Sequence, residues 1–198
     1  MIGSLLYIAG APGVGKSTVA RLLTSGWDTY VNQHAAVPHS VLSHPVSDRI
    51  HGVELGVPRD SFPGTDALAM DIGPRALRWL QELPAPFALG EGSRLATRPF
   101  IGGLAAVGVP VTLVRLTADE ELLEQRWKAR GSKQNPSWRK GATTRAARVG
   151  DWFLSQANAG ARGFRLYLDL DVTELEPEAV ADRIRDAFPL IDLRESAA

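Results

Sequence analysis

Residues 10–18 read GAPGVGKST and complete the pattern G-x-x-x-x-G-K-[ST]. Each group in it has a chemical task. The glycines let the segment Gly10, Ala11, Pro12, Gly13, Val14, Gly15 fold tightly and point its N–H groups at phosphate oxygens. Lys16 can reach the β- and γ-phosphates, the Ser17 hydroxyl suits Mg²⁺, and Thr18 continues into the helix. An apolar run precedes the loop and a helical pattern follows it, so the positive end of a helix dipole adds to the site. This is the chemistry of a bound nucleoside triphosphate with Mg²⁺. By itself the motif does not separate a kinase from an ATPase or a GTPase.

A second stretch, RWKARGSKQNPSWRKGATTRAARVG at 126–150, carries Arg126, Lys128, Arg130, Lys133, Arg139, Lys140, Arg145 and Arg148 with no acid among them. Arg126 and Arg130 stand at i and i+4 on one helix face, and Gly131 ends that helix. The polar SKQNPSW at 132–138 reads as a loop tip containing Pro136, and a helix over 142–158 carries Arg145 and Arg148. Such a segment can act as an arginine-bearing lid that brings charge onto a transferring phosphoryl group and excludes water. The plain alternative is a solvated basic face. No N-K-x-D motif is present, which argues against a GTP-reading hydrolase.

Candidate acceptor groups lie between these two stretches. The strand at 86–92 ends in GEGSRLA, and the C-terminal ends of parallel strands line the cleft. Glu91 is therefore placed to join the Mg²⁺ shell or to take a proton from an attacking hydroxyl. Arg94 can clamp an acceptor phosphate, unless the two merely pair with each other. In FPGTDALAM at 62–70, Thr65 is expected to cap a helix, and Asp66 is either a cap or a rival base. Asp48 and Arg49 are further acceptor-side candidates, and Trp138 is either an anchor or a stacking platform for a base. His34, His39, His44 and His51 fit no metal spacing and read as surface or acceptor-pocket residues.

The elements that must position these groups form an α/β pattern. Strands are expected at 4–10, 29–32, 86–92, 109–116 and 162–170, and helices at 16–23, 66–83 with a break near Gly73-Pro74, 118–130, 142–158 and 176–188. The Pro- and Gly-rich region 35–65 reads as an irregular insertion over one sheet edge. The chain of 198 residues suits a single domain with an acceptor-side insertion at about 32–65 and a lid at about 126–150. It has 22 basic and 22 acidic residues, 44% hydrophobic content and no cysteine, which excludes disulfides and thiolate chemistry. The apolar N-terminus lacks a basic leader and reads as a strand, no run is long enough to span a membrane, and a cytoplasmic address is the expectation.

The phosphate loop together with LTADEELLEQRWKAR and LDLDVTELEPEAVADRIR resembles adenylate-kinase-type P-loop kinases over about half the chain. The resemblance implies a five-stranded parallel sheet with helices on both faces. It also implies that Arg126 and Arg130 contact the nucleotide and that the loop from Asp171 to Leu175 flanks adenine. FPGTDALAM, GEGSRLA and RGSKQNPSWRKGATTRAARV are similar to segments of the bacteriophage 5-hydroxymethyluracil DNA kinases. That likeness implies ATP and Mg²⁺ as cofactors and DNA carrying a modified base as partner, with Arg139 and Arg145 among the groups that meet it. Two alternatives stand beside it: a small-molecule kinase, and a nucleotide-gated binding module without catalysis.

Overall fold

The computed structural model describes residues 1–47, 49–58, 63–132 and 134–192. Its centre is β1 (Ser4–Gly10), flanked by β5 (Phe87–Glu91) on one side and β6 (Val111–Thr117) on the other, both parallel to it. Along β1 the side chains alternate between two cores. Leu5, Tyr7 and Ala9 enter one, while Leu6 and Ile8 enter the other. Burial on both faces explains why the strand reads as a continuous apolar run and not as an alternating one.

The first core is closed by α2 (Gly73–Glu82), α3 (Arg98–Ala106) and α5 (Pro136–Asn158), through residues such as Leu80, Phe100, Leu104 and Phe153. The second is closed by α1 (Lys16–Thr24), α4 (Glu120–Ala129) and α6 (Pro177–Ala187), through Val19, Leu23, Leu123 and Ile184. The result is a sheet sandwiched between two helical layers.

The sheet is larger than the five parallel strands expected. It has seven, in the order β2-β3-β4-β5-β1-β6-β7, where β2 is Asp28–Asn32, β3 is His39–Ser43, β4 is Ile50–Leu55 and β7 is Phe164–Asp171. From β4 through β5, β1 and β6 to β7 neighbouring strands pair in parallel, whereas β3 pairs antiparallel with both β4 and β2. The supposed insertion at 35–65 thus supplies two strands of the sheet, and the segment at 29–32 is its antiparallel edge. The misreading has a cause: Gly52 and the prolines around these short strands blur any period, and strand pairing supplied from elsewhere in the chain overrides weak local propensity.

Two helix boundaries also move. Gly73-Pro74 begins α2 instead of breaking a longer helix, with Pro74 in the first turn, where a missing N–H costs nothing. Similarly, α5 begins at Pro136, because the Asn135 side chain accepts from Ser137 N at 2.7 Å and caps the helix. Residues 136–138 of the expected loop tip are therefore the first turn of a helix, while 132, 134 and 135 stay outside it. Helix α3, capped by Thr97, had no marked bounds in the sequence reading.

Candidate active site

The phosphate loop forms as its residue types require. Gly10, Gly13 and Gly15 all have positive φ, of 151°, 83° and 109°, and Gly15 caps α1 in the left-handed region. The Lys16 ammonium donates to Gly10 O at 3.1 Å and Ala11 O at 2.9 Å, which folds it back over its own loop. Burial pulls its proton affinity down, against the opposing pull of Glu91 and Asp66.

Glu91 ends β5 and is only 3% exposed. Ser17 Oγ donates to Glu91 Oε1 at 2.9 Å, joining the phosphate loop to the neighbouring strand. Burial raises the proton affinity of Glu91, while Lys16 and the Ser17 hydrogen bond lower it. A hydroxyl and a carboxylate side by side at a phosphate loop are the hard oxygen donors Mg²⁺ prefers, so these residues fit the ion their motif implies.

The wall next to Glu91 is built by a short 3-10 turn at Thr65–Ala67. Thr65 is fully buried. Its hydroxyl donates to Glu91 O at 2.8 Å and lies 2.8 Å from the Tyr7 hydroxyl. Thr65 therefore braces the end of β5 instead of capping a helix. Asp66 Oδ1 accepts from Ser93 N, Ser93 Oγ and Arg94 N at 2.9, 2.9 and 3.0 Å, so one oxygen of this carboxylate organises the loop after β5. The Arg94 guanidinium reaches Met70 Sδ and Asp66 O, and its buried Nε has no partner among the described residues. Glu91 and Arg94 do not pair with each other there: every ion pair among the described residues involves other side chains.

The opposite wall comes from α4. Arg126 Nη1 donates to Val14 O at 3.0 Å, and Trp127 Nε1 donates to Pro12 O at 2.8 Å. Arg139, on the first turn of α5, lies over the Trp127 ring at 3.9 Å. Arg126 and Arg130 also line a cleft of about 200 Å³ with Gly13, Gly15, Val172, Leu175 and Pro177. The loop after β7 is held in place by Thr173, which bonds Asp171 through both its N and Oγ1 and accepts from Asp119 N at 3.0 Å. An apolar slot beside a cationic, glycine-rich rim has the form of a site for a nucleobase and its phosphates.

Other candidates fall elsewhere. Arg49 is exposed at the start of β4, and parallel pairing of β4 with β5 puts that start at the sheet end away from Gly10 and Glu91. Asp48 and Lys133 lie outside the described residues. Trp138 is 42% exposed, and Lys140, Arg145 and Arg148 are exposed along α5. The histidines are not all superficial: His39 and His44 are buried, and the His39 ring packs on Trp79. No His/Cys/Asp/Glu group among the described residues is arranged to hold a metal by itself.

One carboxylate escaped the sequence reading. Glu54 stands near the end of β4, where burial and the neighbouring Glu91 push its pKa up to about 7. The signal available was its place in VELGVP, an acid between apolar residues just before a turn.

Among solved structures, the tunicamycin resistance protein of Deinococcus radiodurans is similar, with 16% identity over 93% of this chain and 95% of that one and a TM-score of 0.46. No curated protein matches. No helix among the described residues is long and apolar enough to cross a membrane. A family model described as P-loop Nucleotide Kinase3 matches residues 1–174, which include the phosphate loop, Glu91 and the arginines of α4. The chain belongs to the P-loop Nucleotide Kinase3 family.

Proposed function

We propose that this protein is an ATP- and Mg²⁺-dependent phosphotransferase that acts on an alcohol. The observation that carries the reading is the 2.9 Å hydrogen bond from Ser17 to Glu91, which sets a buried carboxylate beside the phosphate loop. In this reading the loop N–H groups and Lys16 hold the donor phosphates, and Ser17 and Glu91 hold the metal, which supplies charge neutralisation when bound. Arg126 and Arg130 stabilise charge on the transferring group. The Val172–Leu175 loop borders the base of the donor nucleotide. Arg94, whose guanidinium has no carboxylate partner among the described residues, is suited to an anionic group on the acceptor.

For the acceptor, our first reading is the hydroxymethyl group of 5-hydroxymethyluracil within DNA. Its support is the exposed row Lys140, Arg145 and Arg148 on α5, none of which has an acidic partner among the described residues, with Trp138 as a surface on which a displaced base can stack. The second reading is a small alcohol. It is favoured by the acidic character of the acceptor wall, where Glu54, Glu91 and Asp66 gather and would repel a polyanion.

The test is transfer of labelled γ-phosphate from ATP to an oligonucleotide containing 5-hydroxymethyluracil and to free nucleosides, nucleotides and sugars. Label on the modified oligonucleotide alone, lost in Lys16→Ala and falling steeply with salt, supports the DNA reading. Label on a free small molecule alone overturns it and leaves the kinase assignment standing. Nucleotide binding without transfer to any alcohol, with Glu91→Gln as functional as the native chain, points to the gated binding module.

A further inference from the structure

Glu54 pairs across the sheet with Leu89, in a register that also sets Gly52 beside Phe87 and Val53 beside Ala88. Val53 and Leu55 point into the core closed by α2 and α3. Strand alternation therefore turns Glu54 to the other face, the face of Leu89, which packs towards α1. Two residues beyond Leu89 on that face is Glu91. With strands about 4.8 Å apart and a rise of about 3.3 Å per residue, the two glutamate Cα atoms stand roughly 8 Å apart on the diagonal.

The surrounding backbone holds this arrangement at the cleft. Beyond Glu54 the chain turns at Gly56 (φ 96°), which packs so closely on Gly64 that a Cβ there would lie 1.9 Å from Gly64 O. Gly64 in turn packs on the Glu91 carboxylate, where a Cβ would lie 2.3 Å from Oε1. The end of β4, the 3-10 turn and the end of β5 are thus one wall.

Three carboxylates belong to that wall, and two have partners. Asp66 Oδ1 accepts three hydrogen bonds from the loop after β5, and Glu91 accepts from Ser17. Glu54 is partly buried and has neither a hydrogen bond nor an ion pair among the described residues. A carboxylate held in the fold without a partner costs stability, and such a cost is typical of a group kept for use at a site.

We propose that Glu54 is the general base that takes the proton of the acceptor hydroxyl. The assignment rests on the phosphotransferase reading and completes it. The acceptor oxygen forms its bond to the γ-phosphorus as the bond from that phosphorus to the β,γ-bridging oxygen breaks. The electron pair of the broken bond leaves with ADP, and the hydroxyl proton passes to a Glu54 carboxylate oxygen and then to solvent. Glu91 remains with Ser17 on the donor side. Separating the two tasks requires two acids on one face of adjacent strands, and Glu54 and Glu91 meet that requirement.

The experiment compares native protein with Glu54→Gln, Glu54→Asp and Glu91→Gln, using labelled Mg-ATP. The acceptors are 5-hydroxymethyl-2′-deoxyuridine, free and within an oligonucleotide, and glycerol, with released phosphate reporting transfer to water. A fluorescent ATP analogue measures donor binding. Glu54→Gln is expected to lower kcat on the alcohol by about 10²–10⁴-fold, the usual contribution of a general base. Its affinity for the ATP analogue and its KM for ATP should stay within about threefold, well short of a tenfold change in affinity. Glu54→Asp, which keeps the base but withdraws it, should recover part of the loss, and this also settles the case if the Gln variant does not fold. Native-like kcat in Glu54→Gln overturns the assignment and leaves the kinase reading intact. Native protein that phosphorylates neither these alcohols, nor the free nucleosides, nucleotides and sugars, nor water overturns both.

Discussion

Gly64 shows how closely this site is drawn at the scale of single residues. It has φ 63° and ψ −142°, a region other residues scarcely enter, and any side chain would meet the Glu91 carboxylate. Gly64→Ala is expected to destabilise the fold by about 2 kcal/mol or more, a drop in Tm of roughly 4–8 °C, and to lower transfer activity through a displaced Glu91. Thermal melts and turnover with Mg-ATP check both. Glu54 makes the complementary prediction. Its folded pKa of about 7 stands above the ordinary glutamate value of 4.5, so between these pH values the folded state binds the extra proton. The stabilising contribution is therefore complete below pH 4.5 and is lost as pH rises through 7. Glu54→Gln cannot lose it. At pH 8 the variant should be more stable than the native chain by about 1–3 kcal/mol, and the difference should vanish in acid. Equal melting curves at pH 8 would contradict this.

Among the elements, α4 and α5 act together on the phosphate loop. The Trp127 indole donates to Pro12 O and carries Arg139 on its face, so the first turn of α5 is coupled to the loop through one side chain. Phenylalanine at this position keeps a ring but removes the N–H. Trp127→Phe is expected to raise KM for ATP about fivefold, the worth of one hydrogen bond of about 1 kcal/mol, while kcat changes less. A kcat loss with unchanged KM would show that the indole serves the reaction and not the loop. Arg115 of β6 fixes the other part of α5, through ion pairs to Asp151 on that helix and Asp169 on β7. The basic stretch therefore begins against the phosphate loop and continues over a helix anchored on the sheet.

For the whole molecule, donor binding should appear as stability. The phosphate loop, α4 and the loop after β7 belong to three separate regions of the chain, and all line the same cleft. A ligand that bridges them stabilises only the folded state. Mg-ATP at about 100 times its Kd should add about 2.7 kcal/mol, raising Tm by roughly 5–10 °C. Lys16→Ala should abolish the shift while leaving the unliganded Tm near the native value. A native shift retained in Lys16→Ala would place the nucleotide elsewhere.

The chain by itself determined the phosphate loop, the parallel strands that lead into it and the acids and arginines near it. These follow from residues that are neighbours in sequence: positive-φ glycines, the lysine and serine after them, and apolar runs buried on both faces. Asn135 and Pro136 read as part of a polar loop tip, and only the fold shows Asn135 capping α5. Only the tertiary structure decided that the 35–65 region completes the sheet, because strand pairing depends on partners far away in the chain. It also decided what each acid can do. Asp66 and Glu91 looked like rival bases when read along the chain. In the fold one organises a loop, the other meets Ser17, and Glu54 arrives beside Glu91 from another strand. Register across a sheet is a property of packing and hydrogen bonding between distant segments, and no local pattern of residues carries it.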